Sequence, residues 1–197
     1  IRDKLVTGVQ TCALPISYGY TWADSNHPGG PSFNWRNVGT SSSATGYDNF
    51  YEFVSMPFVF TFYSQSSYYV FIGSNGMLTF VNGSSDSVNQ PLSSSSASHY
   101  GIYPWWDDWH PNHIPMTGSF GEPGIPARIN YGTQGVSPNR VFVVTWQFIR
   151  PYHGMYCTND ASFQAQLFEG SNNIEFHYLD TSVDCSAGGG LSGTIGI

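Results

Sequence analysis

One stretch constrains the fold of this chain more than any other, the run NRVFVVTWQFI from Asn139 to Ile149. β-Branched and aromatic residues dominate it, and β-branched residues lose rotamer freedom in a helix. Both alternating faces are apolar, with Val141, Val143 and Ile149 on one face and Phe142, Val144, Trp146 and Phe148 on the other. A strand with two apolar faces is covered on both sides. The run therefore predicts a central strand in a sheet that packs against a second layer.

A first hairpin is predicted around Gly73-Ser74-Asn75-Gly76, between strands at Tyr68–Ile72 and Met77–Val81. Asn-Gly is a strong hairpin signal, because both residues tolerate positive φ in a type I′ turn. With Asn75-Gly76 as the central pair, apolar residues oppose each other across the hairpin. The predicted register places Phe71 opposite Phe80 and Gly73 opposite Leu78.

A second hairpin is predicted between Ser162–Phe168 and Asn173–Leu179, around the turn at 169–172. Pairing Leu167 with Ile174 makes apolar residues oppose apolar ones and polar residues oppose polar ones. The remaining pairs are Ala165 with Phe176, Phe163 with Tyr178, Gln166 with Glu175, and Gln164 with His177.

Further strand-like segments alternate with long, turn-rich loops and show no helical periodicity. They are Phe58–Tyr63, in which Phe recurs at alternate positions, then Gly101–Trp106, Ala127–Tyr131 and short strands near 20–22 and 34–38. Short strands with turn signals at each break are typical of all-β proteins. We therefore predict an all-β fold, an antiparallel β-sandwich with long loops.

The composition excludes some classes of function. A length of 197 residues suits one domain with an adequate core. No apolar run is long enough for a membrane helix, so no membrane insertion is expected. The formal net charge of −7 argues against a nucleic-acid partner.

The first seventeen residues require separate treatment. Residues 6–16 match, codon for codon, a translated sequencing-library adapter, and Ile1–Asp3 match the segment that precedes the adapter index. Segments of such origin give no information about the fold of the native protein. We therefore predict that residues 1–17 are non-native and contribute nothing to the fold, and that residues 18–197 form a single β-sandwich domain, a fragment of a larger multidomain protein. The alternative is a chance peptide or an unusual leader.

Six short motifs occur in a fixed order and are more specific together than singly. They are Phe60–Tyr63, Gly73–Phe80, Trp106–Asp108, Pro138–Trp146, Phe168–Phe176 and Thr194–Ile197. Together they resemble the nidogen-like extracellular β-sandwich domain of large secreted and cell-surface bacterial proteins, from about Asp48 to the end. The resemblance implies a non-catalytic adhesive or accessory role and brings no catalytic residues with it. The chain departs from the family pattern at 107–126 and 26–43, where its own specificity is expected.

Asp107, Asp108, His110 and His113 form the densest set of potential metal ligands. The two carboxylates suit Ca²⁺, and the His-x-x-His spacing suits a transition metal. The alternative is that Asp107 and Asp108 cap loop amides by hydrogen bonds. The resemblance covers the two Asp residues and not the two His residues.

Aromatic residues crowd the same region, at Tyr100, Tyr103, Trp105, Trp106 and Trp109. Alternation cannot bury all of them on one side of a strand, so some are expected to reach solvent, with Trp106 inside. Exposed rings stack on sugars or anchor protein partners. The predicted ligand-binding residues are Tyr103, Trp105, Trp109, His110 and His113. The alternative is that the rings fill the core and cover loops.

Catalysis is not expected. The chain has no Gly-x-Ser-x-Gly elbow and no His-Glu-x-x-His motif. A glycosidase needs two placed carboxylates, and only Asp107 or Asp108 with Glu122 is available for such a pair. A carbohydrate-active β-sandwich enzyme is therefore the weaker alternative.

A disulfide is predicted between Cys157 and Cys185. Extending the register of the second hairpin outward places Cys157 opposite position 184, one residue from Cys185. Discarding Cys12 leaves an even pair, as expected for an exported protein in an oxidising compartment. Two free thiols in a reduced cytoplasmic protein are the alternative.

Two hypotheses about function remain open for an extracellular or cell-surface module. In the first, the domain binds a glycan or a surface protein through residues 100–126. In the second, it is a structural spacer that packs against neighbouring domains of the parent protein, for example beside a secreted hydrolase. Exposed aromatic residues would favour the first hypothesis, and buried ones the second.

Overall fold

The computed structural model describes the backbone of residues 9–10 and all atoms of residues 20–92, 100–111, 126–152, 159–183 and 193–197. These residues form twelve strands and one 3₁₀ turn at Ser43–Gly46. The strands are β1 Val9–Gln10, β2 Thr40–Ser41, β3 Tyr51–Phe62, β4 Gln65–Gly73, β5 Met77–Thr79, β6 Gly101–Trp106, β7 Trp109–His110, β8 Arg128–Gln134, β9 Val141–Pro151, β10 Ala161–Phe168, β11 Ile174–Asp180 and β12 Thr194–Gly196.

The strands form two antiparallel sheets, which confirms the predicted β-sandwich. The first sheet has the order β1-β11-β10-β9-β8-β2, and β7 pairs with the far end of β9. The second sheet has the order β12-β6-β5-β4-β3. The main core includes Phe60 and Phe62 from the second sheet and Trp146 and Phe163 from the first.

The predicted central strand is confirmed, since β9 lies between β8 and β10. Its predicted faces are wrong near the end. Ala161 pairs with Ile149 and Ser162 with Gln147, so Phe148 is an extra residue, with a φ of 56°. A bulge reverses the alternation that follows it. Ile149 is therefore fully buried in the core, while Phe148 is partly exposed and lies 5.4 Å from the guanidinium of Arg128.

The hairpin of β10 and β11 has the predicted register. Leu167 pairs with Ile174, and the other four predicted pairs are also present. The agreement follows from the period of two, because a slip by one residue would turn the apolar set away from the core.

The register predicted for β4 and β5 is wrong by one residue. The observed pairs are Phe71 with Thr79, Ile72 with Leu78 and Gly73 with Met77. The loop therefore has three residues, and Gly76 has positive φ at 75° whereas Asn75 does not. A type I′ turn needs positive φ at both central residues, while a three-residue loop needs it at the last one. This turn is also buried, with Ser74 and Asn75 at 0% exposure.

The extents of the other predicted strands differ from the structure. β3 begins at Tyr51, seven residues before the predicted Phe58, and it keeps the predicted alternation of buried Phe58, Phe60 and Phe62. The short strands predicted near 20–22 and 34–38 are not strands in the structure. The edge of the first sheet is formed instead by Thr40–Ser41.

Residues 33–38, here called the strap, cross the outer face of the first sheet. The backbone N–H of Asn34 donates to His177 Nδ1 at 3.2 Å, and that of Arg36 donates to Gln164 Oε1 at 3.2 Å. The amide of Gln164 donates back to the Arg36 carbonyl at 2.8 Å, and Gln166 donates to the Asn34 carbonyl at 2.8 Å. The strap therefore buries a polar row that the strand pattern alone would leave in solvent, since Gln164, Gln166 and His177 have no exposed surface.

The first strand lies in the segment that matches the adapter. Val9 pairs with His177 and Gln10 with Phe176, at the edge of the first sheet. The segment therefore contacts the fold at these two residues, whereas we expected it to contribute nothing. That it adds nothing to stability stays a prediction.

Candidate functional site

The aromatic residues of the predicted site are buried on both faces of β6. Trp105 lies in the main core, with its ring centroid 5.0 Å from that of Trp109 and 5.5 Å from that of Phe163. On the other face Tyr103 and Trp106 stack at 5.2 Å, and Trp106 Nε1 donates to the Asp86 carbonyl at 2.7 Å.

The expectation of exposed rings is therefore wrong for Tyr103, Trp105 and Trp109, which are 2%, 8% and 0% exposed. The prediction for Trp106 is confirmed at 1% exposure. Burial also raises the pKa of the Tyr103 phenol. The physical reason is that β6 faces the opposite sheet on one side and the 82–92 segment on the other, so both of its faces are covered.

Asn75, in the buried turn, holds the start of β7 in place. Its Oδ1 accepts from the backbone N–H of Trp109 at 2.9 Å. Its Nδ2 donates to Asn49 Oδ1 at 2.7 Å and to the Ser85 carbonyl at 2.8 Å. One buried amide therefore ties three loops together, and the role of the turn is structural.

Asp107 makes the hydrogen bond that the capping interpretation expects. Its Oδ1 accepts from the backbone N–H of Asp108 at 2.9 Å, and the residue is 8% exposed. His110 is half-buried, with its ring 5.5 Å from that of Tyr152. Within the described residues, no three His, Cys, Asp or Glu side chains are grouped as a metal site would require. Calcium binding by Asp107 and Asp108 stays a prediction.

Several predicted residues lie outside the described residues. They are His113, Glu122, Cys157 and Cys185. The histidine pair, the glycosidase alternative and the disulfide are therefore not described by the structure.

The structure brings together an exposed aromatic surface that the sequence analysis missed. This surface, here called the aromatic strip, lies at the hairpin of β3 and β4, and β3 is an edge strand of the second sheet among the described residues. It consists of Tyr47, Phe50, Tyr51, Phe53, Tyr69 and Phe71. The first four are 62%, 39%, 43% and 56% exposed. The signal was present in the sequence, because Tyr51 and Phe53 alternate with the core-facing Val54 and Met56.

The rings of the aromatic strip are in continuous contact. The centroid of Phe53 lies 5.1 Å from that of Tyr69 and 5.3 Å from that of Phe71, and Phe71 lies 5.7 Å from Tyr51. Glu52 is the one charged residue of β3 and β4, and its carboxylate accepts from Ser42 Oγ at 2.7 Å. The hairpin therefore presents a mainly aromatic surface, and the carboxylate of Glu52 is held by the hydroxyl of Ser42 and the backbone N–H of Ser43.

A polar cleft of about 270 Å³ lies where the β3–β4 turn meets the β10–β11 turn. None of its lining residues is charged, and they are Tyr20, Thr21, Thr61, Tyr63, Ser171, Asn172 and Asn173. The backbone N–H of Thr61 donates to Asn172 Oδ1 at 2.7 Å, which joins the two turns. The rings of Tyr20 and Tyr63 meet edge to face at 5.2 Å.

The backbone and the phenols of this cleft have distinct properties. Tyr63 and Asn172 have positive φ, at 50° and 54°. Asn tolerates this region, whereas a bulky residue there is uncommon. Burial raises the pKa of Tyr20 and outweighs the hydrogen bond from the Tyr63 backbone, which lowers it. The Tyr20 hydroxyl therefore keeps its proton at neutral pH and can both donate and accept.

Comparison with known proteins gives one match. A family model described as NIDO related matches residues 20–197, which confirms the resemblance to a nidogen-like domain. No curated protein and no solved structure matches the chain. Domains of this kind are generally non-enzymatic and typically extracellular. In the part of the chain that the structure describes, no helix has the length and apolar character needed to cross a membrane.

Proposed function

The chain belongs to the NIDO-related family, and from that premise we propose that it is a non-catalytic recognition module of an exported protein. Its contact surface is the aromatic strip, and its partner is a protein surface. The partner lies on a neighbouring domain of the parent protein or on another extracellular protein.

The observation that carries this proposal is the exposure of contiguous aromatic residues on the hairpin of β3 and β4. Monomeric proteins seldom expose large contiguous apolar patches, and such patches mark interaction sites. Protein interfaces are enriched in Tyr and Phe and depleted in charged residues at their centres. The aromatic strip has this composition, and Phe53 lies in contact with both Tyr69 and Phe71.

Ring geometry favours a protein partner over a flat glycan at this surface. Phe71 meets Tyr51, Phe53 and Tyr69 at interplanar angles of 84°, 65° and 81°. Phe50 and Tyr51 lie nearly parallel, at 20°, but the edge-to-face packing around Phe71 makes the centre of the strip uneven rather than a plane on which successive sugar rings could stack. Interdigitating side chains of a protein partner suit such a surface.

The spacer hypothesis is supported for a different part of the domain. The rings of Tyr103, Trp105 and Trp109 are buried, and our criterion assigned buried rings to a structural role. These three rings therefore act as core and loop support, while contact with a partner is assigned to the aromatic strip.

A paired comparison of surface variants tests the proposal. The double variant Phe53→Ser with Phe71→Ser removes the centre of the aromatic strip. Val59→Ser is the matched control, because Val59 is 54% exposed on the same strand and lies outside the strip. Labelled domains are applied to an array of immobilised extracellular proteins and neutral glycans.

We expect saturable binding to a protein on the array that the double variant loses and the control keeps. Thermal unfolding by circular dichroism establishes that both variants are folded. Equal protein binding by wild type and double variant would refute the proposal, as would binding confined to glycans.

Export also carries the expectation of a disulfide between Cys157 and Cys185. Thiol quantitation in denaturant, after oxidative refolding of residues 18–197, checks this expectation. We expect no titratable thiol, and two thiols per chain would remove this support for an oxidising compartment.

A further inference from the structure

We propose that the polar cleft beside Tyr63 binds one ring of a neutral sugar. The proposal concerns a different surface from the aromatic strip and does not depend on it. The cleft is built by three segments that are remote in sequence, at Tyr20–Thr21, Thr61–Tyr63 and Ser171–Asn173.

The chemistry of the lining selects the ligand class. Hydroxyl and amide groups line the cleft, and these groups donate and accept hydrogen bonds as sugar hydroxyls do. A charged ligand would lose its hydration without meeting an opposite charge, because no lining residue is ionisable at neutral pH. A purely apolar ligand would leave the amides of Asn172 and Asn173 without water.

The size of the cleft limits what it holds. Its volume of about 270 Å³ lies just below the range of about 300–1,000 Å³ that is typical of sites for drug-sized ligands. A single pyranose ring suits this volume, with the rest of a glycan extending into solvent.

Tyr63 provides the aromatic wall. Its ring contacts the rings of Tyr20, Phe62 and Tyr100 at 5.2 Å, 4.7 Å and 6.1 Å. Its φ of 50° is a value that Gly or Asn would adopt at lower cost. Strained residues cluster at ligand sites, where surrounding contacts hold them in place. Tyr63 therefore places an aromatic ring in the cleft, although its positive φ makes the local backbone less stable.

Polar groups remain available for the sugar. Thr61 Oγ1 is paired with Ser66 Oγ at 2.9 Å, and Asn172 Oδ1 accepts from Thr61. Asn173 is exposed, and among the described residues its side-chain amide makes no hydrogen bond. The Tyr20 hydroxyl already donates to the Thr61 carbonyl at 3.5 Å and accepts from the Tyr63 backbone, so Asn173 is the group assigned to hold the sugar hydroxyls.

The test uses a panel of methyl glycosides of neutral hexoses and N-acetylhexosamines. Saturation-transfer NMR detects contact with the protein, and calorimetric titration gives the dissociation constant. We expect at least one glycoside to bind in the millimolar range, with Tyr63→Gly and Asn173→Ala each weakening it by about tenfold, because each removes one main contact.

Matched variants keep this test decisive. Tyr68→Ala removes a tyrosine that is 66% exposed and does not line the cleft, and it should bind as the wild type does. Asn173→Ala alters an exposed side chain and keeps the test valid if Tyr63→Gly fails to fold. The proposal is overturned if no glycoside on the panel binds. It is also overturned if Asn173→Ala binds as tightly as the wild type.

Discussion

A substitution at Gly76 tests whether the buried turn between β4 and β5 packs tightly against β6. A Cβ added at Gly76 would lie 1.9 Å from the Trp105 carbonyl oxygen and 3.2 Å from Phe163 Cζ. Gly29 has nearly the same φ, 78° against 75°, but nothing lies within 4 Å of its added Cβ. The pair Gly76→Ala and Gly29→Ala therefore separates the cost of left-handed backbone from the cost of close packing.

The two costs have different magnitudes. Left-handed φ costs an Ala residue about 1–2 kcal/mol, and both variants bear this. Gly76→Ala must also push the Trp105 carbonyl from 1.9 Å to at least 3.0 Å, within a strand that carries Trp105 in the core. Overpacking of a core costs typically about 1–3 kcal/mol. We expect losses of about 2–5 kcal/mol for Gly76→Ala and about 1–2 kcal/mol for Gly29→Ala.

Urea unfolding followed by tryptophan fluorescence measures both losses, because Trp105 and Trp109 are buried beside this turn. A domain of this size is stable by about 5–15 kcal/mol, so the larger loss is measurable without abolishing folding in most of that range. Equal losses for the two variants would show that the turn does not press against β6.

Gln166→Met should lower the free energy of unfolding in urea by about 2–3 kcal/mol. The Asn34 carbonyl and the Arg36 guanidinium each lose the Gln166 amide, to which they are hydrogen-bonded at 2.8 Å. An unchanged midpoint would contradict the role of the strap. The pKa of Glu169 is lowered to about 2, chiefly by the hydrogen bonds from Arg140. Its stabilising effect is therefore present above pH 4.5, the ordinary pKa of the group, and is lost as the pH falls from 4.5 towards 2. Glu169→Gln should make the thermal midpoint depend less on pH in this range, and an unaltered slope would oppose this. Calcium titration by calorimetry should give heat that Asp108→Ala abolishes, whereas no heat at millimolar Ca²⁺ would leave Asp107 and Asp108 as capping residues. Deleting residues 1–17 should leave the thermal midpoint unchanged, and a fall of many degrees would show that the pairing of Val9–Gln10 stabilises the domain.

Local pattern was sufficient for much of the fold. The β9 strand and the register of β10 with β11 follow from the sequence, because side-chain burial in strands has a period of two and a short turn links the paired strands. The burial of Phe58, Phe60 and Phe62 follows in the same way.

Only the tertiary structure decided the features that depend on what lies across from a strand. Phe148 is the extra residue of a bulge because Ser162 pairs with Gln147 and Ala161 with Ile149, and this pairing depends on both strands. Trp105 and Trp106 are both buried because the opposite sheet covers one face of β6 and the 82–92 segment covers the other. The spacing of residues in the sequence gives no information about which distant segment covers a face of a strand.

The same reason explains why sequence analysis did not find the aromatic strip or the cleft. Residues 100–111 are dense in aromatic and acidic side chains, as residues 47–58 are, and the fold buries Tyr103, Trp105, Trp106 and Trp109 of the first set. The cleft instead joins Tyr20, Tyr63 and Asn173, which are far apart in sequence. Period-two alternation determines which face of a strand a residue occupies, whereas the packing of remote loops determines whether that face is covered, open or part of a cleft.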